Sequence, residues 1–408
     1  MNLFDNIKHS VFASSEILSN SHIPQRLPSR DNEITSVSTI FRPALMGGVP
    51  PNVIIYGKTG SGKTACVKYI IQEFERARKK QRITHAPYIY MTCCVDTKGP
   101  IDLIIKILRS IDKKNTTTTG HSTHVYYDKL FAHLNKARRG LILILDEIDA
   151  IKKGQEFLYM LSRASEMREI KNGIYISIIG LTNNMQYATT MDPRVKSSFG
   201  THWILFPPYT AIDLLDILED RRKAYHVDAI EEGVIPLCAA IAAQEYGDAR
   251  KSIDLFRTAG EIADRAASSR VLMSHVQNAR IELEQEQIKA LLIRLPLQST
   301  LVLGAIIELR ENGHIISTTG EISKTYFSLA TTYTISPLTH RRVTDLISEL
   351  AMLGLINSKK RSRGRAQGYI REVWLTLSDE EIHILNIHLE TTLTASSITP
   401  FPSQTPHL

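Results

Sequence analysis

Gly57-Lys58-Thr59-Gly60-Ser61-Gly62-Lys63-Thr64 carries the strongest chemical signal in the chain. It fills the pattern G-x-x-x-x-G-K-[ST], and it stands between an apolar run (Asn52 to Tyr56) and a helical pattern (Ala65 to Arg78). Glycines at these places let backbone N–H groups turn inward around phosphate oxygens, and a helix start at Ala65 presents unpaired amides to an anion. Gly57, Gly60, Ser61, Gly62 and Ala65 are therefore expected to cradle the phosphates of ATP or ADP. Lys63 is expected to reach the β and γ phosphates and the Thr64 hydroxyl to ligate Mg²⁺.

Two further groups belong to this chemistry. The run Leu141 to Leu145 ends in Asp146-Glu147, two carboxylates at a strand end, where open α/β sheets bind ligands. Asp146 suits a metal ligand and Glu147 a group that polarises an attacking water. Asp149 reads equally as a helix-capping or surface acid. The run Ile174 to Leu181 leads into Thr182-Asn183-Asn184, so Asn183 could orient water or sense the γ-phosphate, although an Asn at a strand end is usually a turn residue.

These groups must be positioned by an α/β domain. Apolar runs at Asn52 to Tyr56, Tyr88 to Cys93, Leu141 to Leu145, Ile174 to Leu181 and Trp203 to Phe206 alternate with helical patterns, the signature of a five-stranded parallel sheet. After Pro207-Pro208 only amphipathic helices follow, to about residue 290, which predicts a small helical domain. The expected domains are 1–208, 209–290 and 291–392, with a Ser/Thr/Pro-rich tail at 393–408. No internal repeat is present.

The third domain has a different signal. Val343, Leu346, Ile347, Leu350 and Leu353 recur at helical spacing from about Thr339, which buries one face and turns Arg341, Arg342, Asp345 and Ser348 outward. A strand (Leu355 to Ser358), a loop from Lys359 to Gly368 and a strand (Tyr369 to Leu377) give a recognition helix plus wing. Eight Lys or Arg stand against three acids between Leu338 and Leu375. Arg341, Arg342, Lys359, Lys360, Arg361, Arg363 and Arg365 are thus candidate contacts to double-stranded DNA, where a cationic loop can follow phosphates or enter a minor groove. A solvated hairpin tip is the plainer alternative.

Bulk properties agree. A net charge of +7 with pI near 9.1 is compatible with a polyanionic partner. Without a bilayer-length apolar run or a signal-like start, a cytoplasmic, nucleoid-associated protein with no membrane partner is expected. Cys66, Cys93, Cys94 and Cys238 lack metal or disulfide spacing and read as small buried residues.

The order of P-loop, Asp-Glu strand, Asn-ended strand, lid and winged helix resembles the archaeal replication initiators related to the origin recognition complex and to the cell-division-control helicase loader, which are AAA+ ATPases. The strings carrying the likeness are Leu27-Pro28-Ser29-Arg30 with Glu33, Leu145 to Asp149, Met191 to Ser198, Phe206 to Tyr209, Gly247 to Ser252 and Ala259 to Ala263, spanning roughly residues 20 to 390. The resemblance implies that Ile23 to Glu33 line an adenine pocket, that Arg250 is a lid arginine touching the γ-phosphate, and that Tyr209 and Arg221 contact nucleotide from the lid side. It also implies a DNA contact through a helical insert at Asp96 to Lys113, where Ile101, Ile104, Ile105 and Leu108 equally suit a core helix. Arg194 occupies the position from which AAA+ proteins reach into a neighbour's site. Ser197-Ser198-Phe199 offers no second arginine, so a structural salt bridge is equally open. Ser29 stands where His, and Asn184 where Asp, is common in the family.

The implied function is an ATP-dependent initiator that binds origin duplex and supports replicative helicase loading, with other initiator copies as partners and slow, regulatory hydrolysis. An ATP-gated winged-helix transcription regulator or a transposition helper ATPase is the second reading; such proteins usually lack the Gly247 to Arg250 and Asp192 to Lys196 strings. A DNA-binding scaffold with a dead ATPase is disfavoured by the intact Lys63, Asp146 and Glu147.

Overall fold

A computed structural model describes residues 10–19, 22–24, 26–83, 87–93, 99–111, 122–151, 154–164, 167, 169–171, 173–200, 202–245, 247–362, 369–377, 382, 385 and 386. The chain divides into two compact units, Met1–Ala279 and Arg280–Leu408.

In the first unit the elements run α1 (Asp31–Leu45), β1 (Val53–Tyr56), α2 (Lys63–Gln81), β2 (Tyr88–Thr92), α3 (Pro100–Ile111), α4 (Thr123–Ala137), β3 (Leu141–Asp146), α5 (Gly154–Ser162), β4 (Ile176–Thr182), α6 (Tyr187–Thr190), α7 (Pro193–Phe199) and β5 (Trp203–Leu205). The strands form a parallel five-stranded sheet in the order β2-β3-β4-β1-β5. Every residue of β3 and β4 is buried, which is why these strands read as unbroken apolar runs. One face packs Ile142, Ile144 and Ile179 against α1 and α2, and the other packs Leu143, Leu145 and Ile178 against α3 to α5.

The lid follows as α8 (Ala211–Arg221), α9 (Val234–Gln244), α10 (Ala249–Arg265) and the start of α11 (Met273–Ile293). Thr210 and Asp213 form a capping box at the start of α8, and Asp248 caps α10 by accepting from the amides of Arg250 (2.8 Å) and Lys251 (3.3 Å). Such a cap is worth about 1 kcal/mol and sets Arg250 in the first turn. The N-terminal segment is fastened to this lid. Ser10 Oγ and the Val11 amide donate to Asp264, the amides of Ala13 and Ser14 donate to the Ala224 carbonyl, and the Phe12 and Tyr225 rings lie 4.8 Å apart.

The second unit contains α12 (Leu297–Glu311), β6 (Ser317–Thr318), α13 (Thr319–Thr332), α14 (His340–Met352), β7 (Ile356–Ser362) and β8 (Tyr369–Leu375), with an antiparallel sheet in the order β6-β8-β7. Val343, Leu346, Ile347 and Leu350 of α14 are buried with Leu301, Ile322 and Tyr326.

Three expectations need correcting. Lys359, Lys360 and Arg361, expected in a loop, lie on β7, because pairing with Glu372, Arg371 and Ile370 of β8 continues the ladder through them. Leu353, expected on the buried face of the recognition helix, is 47% exposed, because α14 ends at Met352. In α3 the buried stripe is Leu103, Ile104, Ile107 and Leu108, and Ile101 is exposed. The remainder of the expected insert, 96–98 and 112–113, lies outside the described residues, as do Cys94, Arg363, Arg365 and the tail.

Candidate functional site

The carboxyl ends of β1, β3 and β4 open on a cavity of about 310 Å³. Its wall includes Gly60, Gly62, Lys63, Thr64 and Ala65 of the P-loop, Asp146 and Glu147 after β3, Asn183 after β4, and Tyr209, Arg221 and Arg250 from the lid side. His22, Ile23, Pro24, Leu27 and Pro28 also line it, as do Tyr90 and Thr92 of β2, so part of the segment expected to line an adenine pocket does border this space. Gly57 and Ser61 stand behind the wall: Lys63 Nζ donates to the Gly57 carbonyl (2.8 Å) and lies 3.3 Å from Ser61 Oγ, and Ser61 is 1% exposed.

The glycines explain the motif locally. Gly60 has φ +73°, and a Cβ there would lie 1.8 Å from Asp248 Oδ1; Gly62 has φ +86°, and a Cβ would lie 2.3 Å from the Tyr209 hydroxyl. The lid thus rests directly on the P-loop, a contact reinforced by the Ala249 amide donating to the Gly60 carbonyl (3.2 Å).

Lys63 also donates to the Lys58 carbonyl (2.8 Å). Burial pulls its ammonium down to about 8, Asp146 opposing the fall and Arg250 adding to it. The Thr64 hydroxyl donates to Asp146 Oδ2 (2.9 Å), which places the two groups expected to hold a metal side by side. Glu147 sits in the left-handed region (φ 57°, ψ 48°), a conformation that costs a residue with a side chain about 1–3 kcal/mol, and its Oε2 is buried without a hydrogen-bond partner. An unsatisfied carboxylate beside a phosphate cradle fits an assembly completed by a cation and a polar ligand. Among the described residues no cluster of three or more His, Cys, Asp or Glu could hold a metal. A sparse Thr64 and Asp146 set fits Mg²⁺, which draws its other ligands from water and phosphate.

Asp149 neither caps a helix through its side chain nor lines the cavity; its Oδ1 accepts from the Thr182 hydroxyl (2.6 Å), tying the ends of β3 and β4 together beside Asn183. Asn184 accepts from the Gln186 amide (2.8 Å) as a turn residue. Arg194 is exposed and pairs with Asp192 (2.9 Å), the residue that caps α7.

Tyr90 had no role assigned from sequence, and Arg30 had one only as part of the Ile23 to Glu33 segment, although it does not line the cavity itself. Arg30, 3% exposed, pairs with Glu33 (2.8 Å), donates to the carbonyls of Ser61 (2.9 Å) and Pro207 (2.6 Å), and stacks its guanidinium 3.9 Å from the centre of the Tyr209 ring. It fixes P-loop, α1 and lid linker to one another, and the desolvated stack alone is worth about 2 kcal/mol. Tyr90 donates to Asp146 Oδ2 at 2.5 Å. The one sequence signal for it is the polar alternation Tyr88, Tyr90, Thr92 on a strand that the structure places, half-buried, at the sheet edge.

In the second unit Arg341 and Arg342 lie on the open face of α14. Arg342 faces Glu349 (3.5 Å) and Asp345 (3.8 Å), and Arg361 pairs with Glu372 (3.0 Å). Arg371 donates to Ser348 Oγ (2.7 Å), so Ser348 faces the hairpin. Lys360, Arg371 and Thr344 line one notch with Thr319 and Gly320 at the start of α13.

Comparison with known proteins agrees with both units. Family models match for an AAA domain at residues 50–185, a Cdc6 AAA+ ATPase-type lid domain at 215–281 and a CDC6 C-terminal winged helix domain at 291–384. An ORC1-type DNA replication protein of Thermococcus onnurineus is 38% identical over 405 residues, covering 97% of this chain and 96% of the relative. One from Methanosarcina mazei is 41% identical over 377 residues, covering 91% and 89%. The Aeropyrum pernix ORC1 protein, solved in complex with DNA, superposes with a TM-score of 0.80 at 35% identity over 95% of this chain and 99% of its own. With this coverage by relatives well above 30% identity, the chain belongs to the ORC1-type DNA replication protein family.

Proposed function

We propose that this chain is an ATP-controlled initiator that binds origin duplex DNA and supports loading of the replicative helicase, with other initiator copies as partners. The carrying observation is that core and lid converge on one cavity, with Lys63, Thr64, Asp146 and Glu147 on one side and Arg221 and Arg250 on the other. A guanidinium on a lid helix gives the terminal phosphate a direct hold on lid position, so ATP and ADP favour different closures.

Roles follow from chemistry. The amides around Gly60, Gly62 and Ala65 and the Lys63 ammonium bind phosphate oxygens, with Gly57 and Ser61 holding the loop from behind. Thr64 and Asp146 would hold Mg²⁺, which supplies charge neutralisation on the phosphates. Glu147 would accept the proton of an attacking water and Asn183 would orient it, giving slow, regulatory hydrolysis. Tyr209 and Arg221 close the nucleotide's lid side. The working domains are 1–208, 209–290 and 291–392, and the protein acts on the nucleoid in the cytoplasm; among the described residues no helix is long and apolar enough to cross a membrane.

For DNA, the A. pernix relative was solved in complex with it. In this chain Arg341, Arg342, Lys359, Lys360 and Arg361, with Arg363 and Arg365 between β7 and β8, supply the cations. Binding across footprinted genomic fragments, with ATP and with ADP, tests the proposal. Preference for one intergenic repeat is expected; uniform affinity for all duplexes overturns it.

A further inference from the structure

Tyr90 lies in none of the phosphate or metal motifs, yet its contact with Asp146 is shorter than that of Thr64. Its place follows from register. Tyr88 and Tyr90 pack on the α2 side of the sheet, whereas Ile89 and Met91 pack on the other. Parallel pairing sets Tyr90 beside Ile144 and Thr92 beside Asp146. From there the phenol donates to Asp146 Oδ2 at 2.5 Å, the same oxygen that accepts from Thr64 at 2.9 Å, and the Thr92 side chain stands beside the phenolic oxygen. Both bonds to Asp146 fall on one oxygen. Asp146 is 7% exposed, so little water competes for its orientation.

We propose that Tyr90 is the positioning residue of the cation site: by holding Oδ2 of Asp146 it fixes the carboxylate's rotation and leaves the lone pairs of Oδ1 for a divalent ion. Partners outside the ligand shell orient metal-binding carboxylates, and their loss typically costs about 10- to 100-fold in metal affinity. The proposal rests on the reading of this cavity as a Mg²⁺–ATP site. Tyr90→Phe removes one hydroxyl while keeping the ring, its packing and its contact with the Lys68 ammonium 5.4 Å from the ring centre. A residue that only fills space would not distinguish Mg²⁺ from its absence.

The test titrates the full chain with N-methylanthraniloyl-ATP, in EDTA and across a Mg²⁺ series. For Tyr90→Phe the affinity in EDTA should stay within about 2-fold of the parent, and the Mg²⁺ needed for half-maximal strengthening should rise about 10-fold. Thr92→Val, which removes the hydroxyl beside the phenol, should shift the Mg²⁺ requirement in the same direction by a smaller factor. An unchanged Mg²⁺ requirement in both variants overturns the proposal, as does an equal fall with and without Mg²⁺. If the parent chain binds no nucleotide under any condition, the reading of the cavity fails, and the role of Tyr90 with it.

Discussion

The cations of the two units are held in opposite ways. Lys63 and Arg30 are 5% and 3% exposed, and each donates to two backbone carbonyls. The side chains of Arg342 and Arg361 are 53% and 72% exposed and face acids on their own helix or hairpin. A phosphate cradle gains from charges oriented in advance, since their ordering cost is met on folding. A surface that follows a duplex gains from many solvated cations, because its free energy comes from releasing counterions. Mutations should therefore act locally and steeply in the first unit, and diffusely and salt-dependently in the second.

The largest expected effect tests the first half of that contrast. Arg30→Met leaves Glu33 half-buried without its partner, and loss of one member of such a pair costs about 3–5 kcal/mol. Calorimetry should show the transition of the first unit falling by several degrees, with that of the second unit unmoved; a common shift would break the comparison. Next, Lys63→Ala should weaken ATP binding about 100-fold, the loss of a charge-assisted contact, with DNA affinity retained in filter binding. In the second unit, Lys359→Ala with Lys360→Ala should lower the slope of log affinity against log salt by about 1.8 for every duplex tested and leave ATP binding intact.

A smaller effect should come from pH. Because Lys63 titrates near 8 and not near 10.5, its protonated form is penalised in the folded chain, and phosphate binding must take up a proton as pH rises through 8. ATP affinity should fall several-fold between pH 7 and 9, with proton uptake measurable by calorimetry in buffers of different ionisation enthalpy. DNA affinity, which the proposed function assigns to arginines and exposed lysines, should change little over that range. Smallest of all, Arg342→Ala should alter DNA affinity within about 2-fold, since Asp345 and Glu349 already share its charge. A tenfold loss would show that these acids release the arginine to DNA.

What could be foreseen divides along the same physical line. The P-loop and the Asp146-Glu147 pair are legible because turn, helix start and strand end are built from adjacent residues. The sheet was legible because buried parallel strands are continuous apolar runs, and errors were confined to a residue or two at the ends. Arg30, Tyr90 and Asp248 gained their roles through partners 31 to 188 positions away, where register and lid docking decide, and no local pattern encodes those. The wing cations illustrate the converse error. A run of Lys and Arg with nearby glycines reads as loop, yet an edge strand tolerates it, because alternate side chains point to solvent.

The fastening of residues 10–18 to the helices around Ala224 and Asp264 has a further consequence. The chain leaves that anchorage through Ile17, whose carbonyl accepts from Arg221, and goes on at once to His22, Ile23 and Pro24 on the cavity wall. The same stretch of chain thus both fastens to the lid helices and lines the cavity. If the lid closes on nucleotide as proposed, it would draw this wall along with it, so a purine would gain or lose its enclosure in the same stroke that carries Arg250 toward or away from the phosphates.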